Sequence, residues 1–498
     1  MMKRYFALLM SLWLLCLSAC SRPTVQDDVS SQDASVNETS SADSEVVGEA
    51  AQSSLLSSSS PDGEDTSNTQ TPSHDAPLET DTGSAPVFGD SGSHSSSSEN
   101  NAYAHPTPLS YDDLRISPAV EYTRDKSSPS SDFLEAVRAF SYASSSQLLT
   151  RQKENTVYSP IGVYYPLALL AAGAKGDTRD QILSVLGLSG QSNDAFTRQC
   201  QLLYCNTRRD SKESTFLTAN SLWVRQGLTL QPDFGRIAAE RFFAPIYSVD
   251  FSDPATSGWM QDWVSDNTKG LIRPQIQPSS QSQIFVCNTI YLKGNWTLPF
   301  SDWSTYEEIF TREDSTQIPC DFMHATQNID YVKKEGYARA DLRIDDIGVM
   351  SFILPDPGTP LEQLTASPET LASLLEYDGM SRQKVRLSVP KVDLSSKVSM
   401  MDTLGTMGIR DLFLFQADLS AITTDEQPLY VESLTQQTRL KWDEQGVEAA
   451  AYTEASLALR ASKPDIEIPV EFKLDRPFLF ILRKGQNILF IGTCYQPN

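Results

Sequence analysis

The sequence predicts an α+β fold with a substantial antiparallel sheet, and three observations carry that prediction. Helical patterns crowd the first half of the body, where residues 161–172 are apolar nearly all round. Strand patterns crowd the second half, with β-branched or alternating runs at 284–292, 385–389, 470–474 and 487–491. No internal repeat interleaves the two, so helices and strands should segregate.

At the N-terminus, Lys3 and Arg4 precede an apolar run over 5–17 that ends in Leu17-Ser18-Ala19-Cys20. A positive start, a short apolar core and small residues before a break read as a secretory signal over residues 1–19. The run is too short to span a bilayer as a mature helix. Leu-Ser-Ala before a cysteine resembles a bacterial lipobox, which implies that Cys20 carries the lipid and anchors the chain to the membrane as a cell-surface lipoprotein. Residues 20–130 are Ser, Asp, Glu, Thr, Pro and Gly with few large apolar side chains, so they cannot bury enough surface to offset their ordering entropy. They are expected to form a disordered stalk, with an end-to-end distance of about 60 Å if treated as a flexible coil.

The folded body is expected over 131–498. Phe133, Val137 and Phe140 at helical spacing open it. A short strand at 155–158 meets Ser159-Pro160, a cap and first-turn pair that starts a helix well. That helix should be central, since no face of it is polar. Residues 173–177 turn the chain, Thr178 and Gln181 have capping-box spacing, and the next helix should stop at Gly187.

Composition excludes several classes of chemistry. The net charge of −24, from 40 basic and 64 acidic residues, contains no run of Lys and Arg in the body, so nucleic acid is not an expected partner. Of four histidines only His324 lies in the body, and no motif surrounds it. Nucleophilic triads and zinc peptidase sites need placed imidazoles, so the chain does not read as an enzyme, and neither a metal nor a cofactor is expected. Cys200, Cys205, Cys287, Cys320 and Cys494 are read as buried or spare thiols; Cys200 and Cys205 would point to different sides of a continuous helix.

One run resists a single reading: Glu444-Gln-Gly-Val-Glu-Ala-Ala-Ala-Tyr-Thr-Glu-Ala-Ser-Leu-Ala-Leu-Arg460-Ala461. Its Ala, Glu, Leu and Arg favour helix by propensity. Its pattern is that of a strand, because Val447, Ala449, Ala451, Thr453, Ala455 and Leu457 are small or apolar at every second position, with Glu448, Tyr452, Glu454 and Ser456 between them. A conflict between levels of this kind marks a functional segment.

Four segments in order resemble the serpin family. They are Asn155-Thr-Val-Tyr-Ser-Pro-Ile-Gly-Val with 167–183 after it, Asn288-Thr-Ile-Tyr-Leu-Lys-Gly-Asn-Trp296 with Pro299-Phe300, Glu444-Gln-Gly446 with Glu448-Ala-Ala-Ala451, and Phe472-Lys-Leu-Asp-Arg-Pro-Phe-Leu-Phe480. The resemblance implies a helical bundle on a large central, mainly antiparallel sheet, with smaller sheets and an exposed reactive loop at 444–464. It implies a hinge at Glu444, Gly446, Val447, Glu448, Ala449, Ala450 and Ala451, and a reactive bond between Arg460 and Ala461, with Leu459 the anchor if the register slips by one. It also implies a sheet-opening region containing Ser159, Asn288 and Trp296. The partner it implies is a trypsin-like serine protease, trapped by a monomeric, suicide-substrate inhibitor. The alternatives are a non-inhibitory, substrate-like serpin and a surface binding or adhesion module. The chain departs from the family pattern in Val447, where Thr or Ser is common, in the bulky Tyr452, in Gly162, where serine is frequent, and in Gln436, where histidine is usual. The last two imply a rewired hydrogen-bond network where the sheet opens.

Overall fold

The structure, a computed structural model, describes residues 105–110, 127–425, 428–448 and 468–497. The signal, Cys20 and most of the expected stalk lie outside these residues, as do Ala449, Ala450, Ala451, Arg460, Ala461 and the rest of the loop to residue 467.

Among the described residues the first half supplies α1 (Ser131–Leu149), β1 (Thr156–Tyr158), α2 (Pro160–Gly173), α3 (Gly176–Val185), α4 (Asn193–Thr207), β2 (Arg209–Asp210), β3 (Thr215–Arg225), α5 (Pro232–Arg241), β4 (Ile246–Val249) and α6 (Pro254–Asn267). Strands then dominate: β5 (Ile284–Asn295), β6 (Thr305–Thr311), β7 (Gln317–Lys334), β8 (Tyr337–Ile344) and β9 (Gly348–Pro355). After α7 (Pro368–Leu374) come β10 (Ser381–Pro390), β11 (Val392–Ser399), α8 (Met401–Met407), β12 (Thr435–Trp442), β13 (Gly446–Val447), β14 (Val470–Lys473), β15 (Phe478–Lys484) and β16 (Asn487–Cys494).

Every residue of α2 is buried, as its all-round apolar surface requires. Two local expectations fail because tertiary partners compete for the same side chains. Ser159 occupies the cap position of α2, yet its hydroxyl donates to the Leu489 carbonyl at 2.6 Å instead of capping the helix. Thr178 and Gln181 form no capping box, since α3 begins at Gly176; Thr178 Oγ1 accepts from the Asp418 N–H, and the Gln181 side chain serves Arg410 and Asp411. Gly187, with φ +71°, turns the chain after α3. Cys200, Cys287, Cys320 and Cys494 are buried thiols, and Cys205 is half-buried on the same helix as Cys200. His324 is held by packing: its ring stacks on Tyr306 at 4.1 Å and its Nδ1 lies 3.0 Å from Ser388 Oγ.

Two sheets form. A nine-stranded sheet has the order β1-β16-β15-β9-β8-β7-β10-β14, with β6 on β7. A seven-stranded sheet has the order β11-β12-β13-β5-β3-β2, with β4 on β3. All pairings are antiparallel except β10 with β14 and β3 with β4. One core joins α1, α2 and their neighbours to β15 and β16, and a second lies between the two sheets, with Leu292, Trp296, Trp442 and Val447 facing Phe352, Phe478 and Phe480. A third packs Met260 of α6 against Trp223 and Cys287 on the seven-stranded sheet.

Inside the stretch expected to be stalk, residues 105–110 lie against the body. The Leu109 N–H donates to the Ile246 carbonyl at 2.7 Å, and the Leu109 side chain packs on the helical core.

Candidate functional site

The seven-stranded sheet has an unusual centre. The only strand joined to both β5 and β12 among the described residues is the two-residue β13, through Gly446 opposite Asn295 and Val447 opposite both Gly294 and Trp442. Among the described residues no ladder joins β5 directly to β12. Gly446 and Val447 of the predicted hinge therefore already form a strand of this sheet between β5 and β12.

Gly446 can sit there because it has no side chain: a Cβ on it would come within 2.1 Å of the Gly294 carbonyl oxygen. Val447 is fully buried in the core between the sheets, which contributes roughly 1.5–3 kcal/mol if its burial is complete. The smaller Thr or Ser of the family pattern would fill less of this space and bring a hydroxyl into it.

A clasp holds the entry point. The carbonyls of Asp443, Glu444 and Gln445 accept from the Trp296 indole N–H, the Phe300 N–H and the Trp296 backbone N–H, each at 2.8 Å. Both Glu444 carboxylate oxygens lie 3.0 Å from Lys391 Nζ. Burial alone would raise the Glu444 carboxyl, but hydrogen bonds to backbone and to Lys391 outweigh it and hold the group below its ordinary value. Asp443, by contrast, is pushed up by burial. Lys391 and Phe300 thus join the hinge. Phe300 stood beside Trp296 in a quoted motif, but Lys391, 53 residues before Glu444, carried no local signal in the sequence.

After Val447 the chain leaves the sheet. Glu448 takes φ +50°, its N–H donates to the Lys441 carbonyl at 2.9 Å, and its carboxylate is half-buried against Tyr291. The alternation predicted that Glu448 would face solvent on an extended strand; at this point the strand has instead ended.

The predicted sheet-opening residues divide into two centres. Trp296 belongs to the clasp at one end of β5. Ser159 and Asn288 lie at the other, eight residues or about 27 Å along the strand. There Gln436 Oε1 accepts from the Ser159 N–H and Gln436 Nε2 donates to the Ser159 carbonyl, both at 2.8 Å. Asn288 donates to Asn220 Oδ1 at 2.8 Å. The Gly162 and Gln436 departures lie side by side. A Cβ on Gly162 would lie 2.8 Å from both Gln436 Nε2 and Ile290 Cδ1 and 3.0 Å from Asn288 Oδ1, so the glutamine amide, with Ile290, occupies the space that a serine side chain would take.

A sequence model described as Serpin (serine protease inhibitor) matches residues 135–497. The chain is 31% identical over 368 residues to Serpin-Z2A of Triticum aestivum, covering 69% of this chain and 90% of that protein. It is 30% identical to Alpha-1-antitrypsin 1-3 of Mus musculus, covering 69% and 84%. A serpin-like protein of Thermococcus kodakarensis matches at 27% identity over 80% of this chain and 92% of its own length. Among solved structures, the thermophilic serpin tengpin in its native state aligns with a TM-score of 0.68 at 24% identity, over 79% of this chain and all of that one. Thyroxine-binding globulin in complex with thyroxine aligns at 0.65 and 22%, over 73% and 99%. With the hinge, the clasp and the two-sheet architecture all in place, the chain belongs to the serpin family.

Proposed function

We propose that the protein is a suicide-substrate inhibitor of extracellular trypsin-like serine proteases, held at the cell surface by a lipid on Cys20. The family supports protease inhibition in general terms. One observation carries the finer reading: Gly446 and Val447 already lie between β5 and β12, ahead of a run whose alternate residues are small.

The chemistry begins with the protease. Its serine oxygen attacks the Arg460 carbonyl carbon, the bond from Arg460 to Ala461 breaks, and the amine of Ala461 leaves with a proton while Arg460 stays esterified to the enzyme. Arginine at this position fits an acidic specificity pocket. The freed segment then continues the strand that β13 has begun, with Ala449, Ala451, Thr453, Ala455 and Leu457 facing the core between the sheets. From Val447 to Arg460 an extended chain spans about 43 Å, so complete insertion carries the attached protease along the length of β5. Inhibition requires insertion to outrun water at the ester.

The test mixes the soluble chain with trypsin and resolves the products by SDS gel and mass spectrometry. A denaturant-stable adduct ending at Arg460 is expected. Complete cleavage with no adduct would overturn the inhibitory reading in favour of a substrate-like serpin. A cut elsewhere would move the reactive bond.

A further inference from the structure

The hinge stops after two residues, and the residue at which it stops is unusual in three ways. Glu448 has a left-handed backbone, φ +50°, which a non-glycine residue adopts at a cost of about 1 kcal/mol or more. Its N–H nevertheless remains tied to the Lys441 carbonyl of β12 at 2.9 Å. Its Oε2 is buried without a hydrogen-bond partner among the described residues. Extending β13, antiparallel to both its neighbours, by one residue requires Glu448 to give up this turn for an extended backbone with φ of about −140°.

We propose that Glu448 is the pivot that halts hinge insertion at Val447 before cleavage, and that ionisation of its side chain withdraws the hinge from the sheet. The groups facing it are Tyr291 and Lys293 on β5 and Arg439 and Lys441 on β12, with Arg439 itself paired to Asp393 of β11. The Tyr291 hydroxyl and the three cations favour the charged carboxylate. Burial opposes them and prevails, pushing the Glu448 carboxyl up to about 7. A withdrawn hinge would expose Glu448 to water and return it toward the free-carboxylate value of about 4.3.

The direction of the linkage follows. The inserted state binds the proton more tightly, so insertion is favoured as pH falls and weakens by up to tenfold per unit as pH rises from about 4.3 to about 7, above which it levels off. On the inhibitory reading proposed above, on which this consequence rests, acid holds the loop drawn in at its base. Neutral and alkaline solution releases it for a protease to engage.

The decisive experiment is hydrogen–deuterium exchange of the full chain at pH 5.5 and pH 8, each corrected for intrinsic exchange and read in peptides covering Gly446 to Glu448. Wild-type protection is expected to fall at least tenfold between the two, while Glu448→Gln, neutral at both, keeps its protection throughout. An identical pH dependence in Glu448→Gln, or wild-type protection that does not change with pH, would overturn the proposal. The labelling step involves no target protease, so the result is independent of whether the chain inhibits one.

Discussion

Single charged side chains set the strength of the scaffold and of the hinge in different ways. Asp341 is buried and serves two buried cations. It accepts from Arg339 Nε at 2.8 Å and Nη2 at 2.6 Å, and from Arg483 Nη2 at 2.9 Å. Arg339 also donates to the Leu374 carbonyl and Arg483 to the Tyr377 hydroxyl. Removing one partner from a buried charge network leaves uncompensated charge, so Asp341→Asn should lower stability by about 3–5 kcal/mol in urea unfolding. The Glu444 to Lys391 pair is more exposed on its lysine side, and Lys391→Met should cost about 1 kcal/mol or less at pH 7. Because the Glu444 carboxyl is depressed in the folded protein, its contribution is present above the unfolded value and lost as pH falls through the folded one. The difference between wild type and Lys391→Met should therefore vanish in acid unfolding experiments.

At the scale of elements, β5 links the two ends of the machinery. Asn288 in its first half donates to Asn220 close to the Ser159 and Gln436 pair, and Asn295 and Gly294 at its end receive Gly446 and Val447. The Gly162 and Gln436 pair makes a sharp expectation. Gly162→Ser alone should destabilise, because the new side chain meets the Gln436 amide and Ile290, and Gln436→His alone should lose the paired hydrogen bonds to Ser159. The double variant should recover part of the loss, with a coupling of roughly 1–2 kcal/mol in a double-mutant cycle. Simple additivity would show that the two departures are unrelated. Gly446→Ala should unseat β13, since its Cβ would meet the backbone of β5. With trypsin this variant should yield more cleaved product and less adduct than wild type, as read by gel densitometry. Much of this was legible in sequence: the central α2, the strands β5, β10, β14 and β16, and the strand pattern at Val447 all carried local patterns. The turn at Glu448 was not, because alternation describes what a strand would bury and says nothing of where its ladder ends. Nor was the clasp on the hinge carbonyls, whose donors come from backbone and from a tryptophan about 150 residues away.

Across the whole molecule, the helical core packs on Ile284, Val286 and Ile290 of β5, and the core between the sheets takes Leu292 of β5 with Leu440 and Trp442 of β12, yet among the described residues only Gly446 and Val447 bridge those two strands. A longer strand between β5 and β12 would add ladder hydrogen bonds and apolar burial to the two residues of β13. On the inhibitory reading proposed above, the native arrangement is metastable, and cleavage between Arg460 and Ala461 removes the covalent tether from β13 to β14. The most direct test is a thermal melt of the intact chain beside the same chain cut between Arg460 and Ala461. The account predicts a large upward shift in Tm on cleavage, as the freed segment completes the strand that Gly446 and Val447 begin. An unchanged or lower Tm would show that the loop does not enter the sheet, and would contradict the account at its centre.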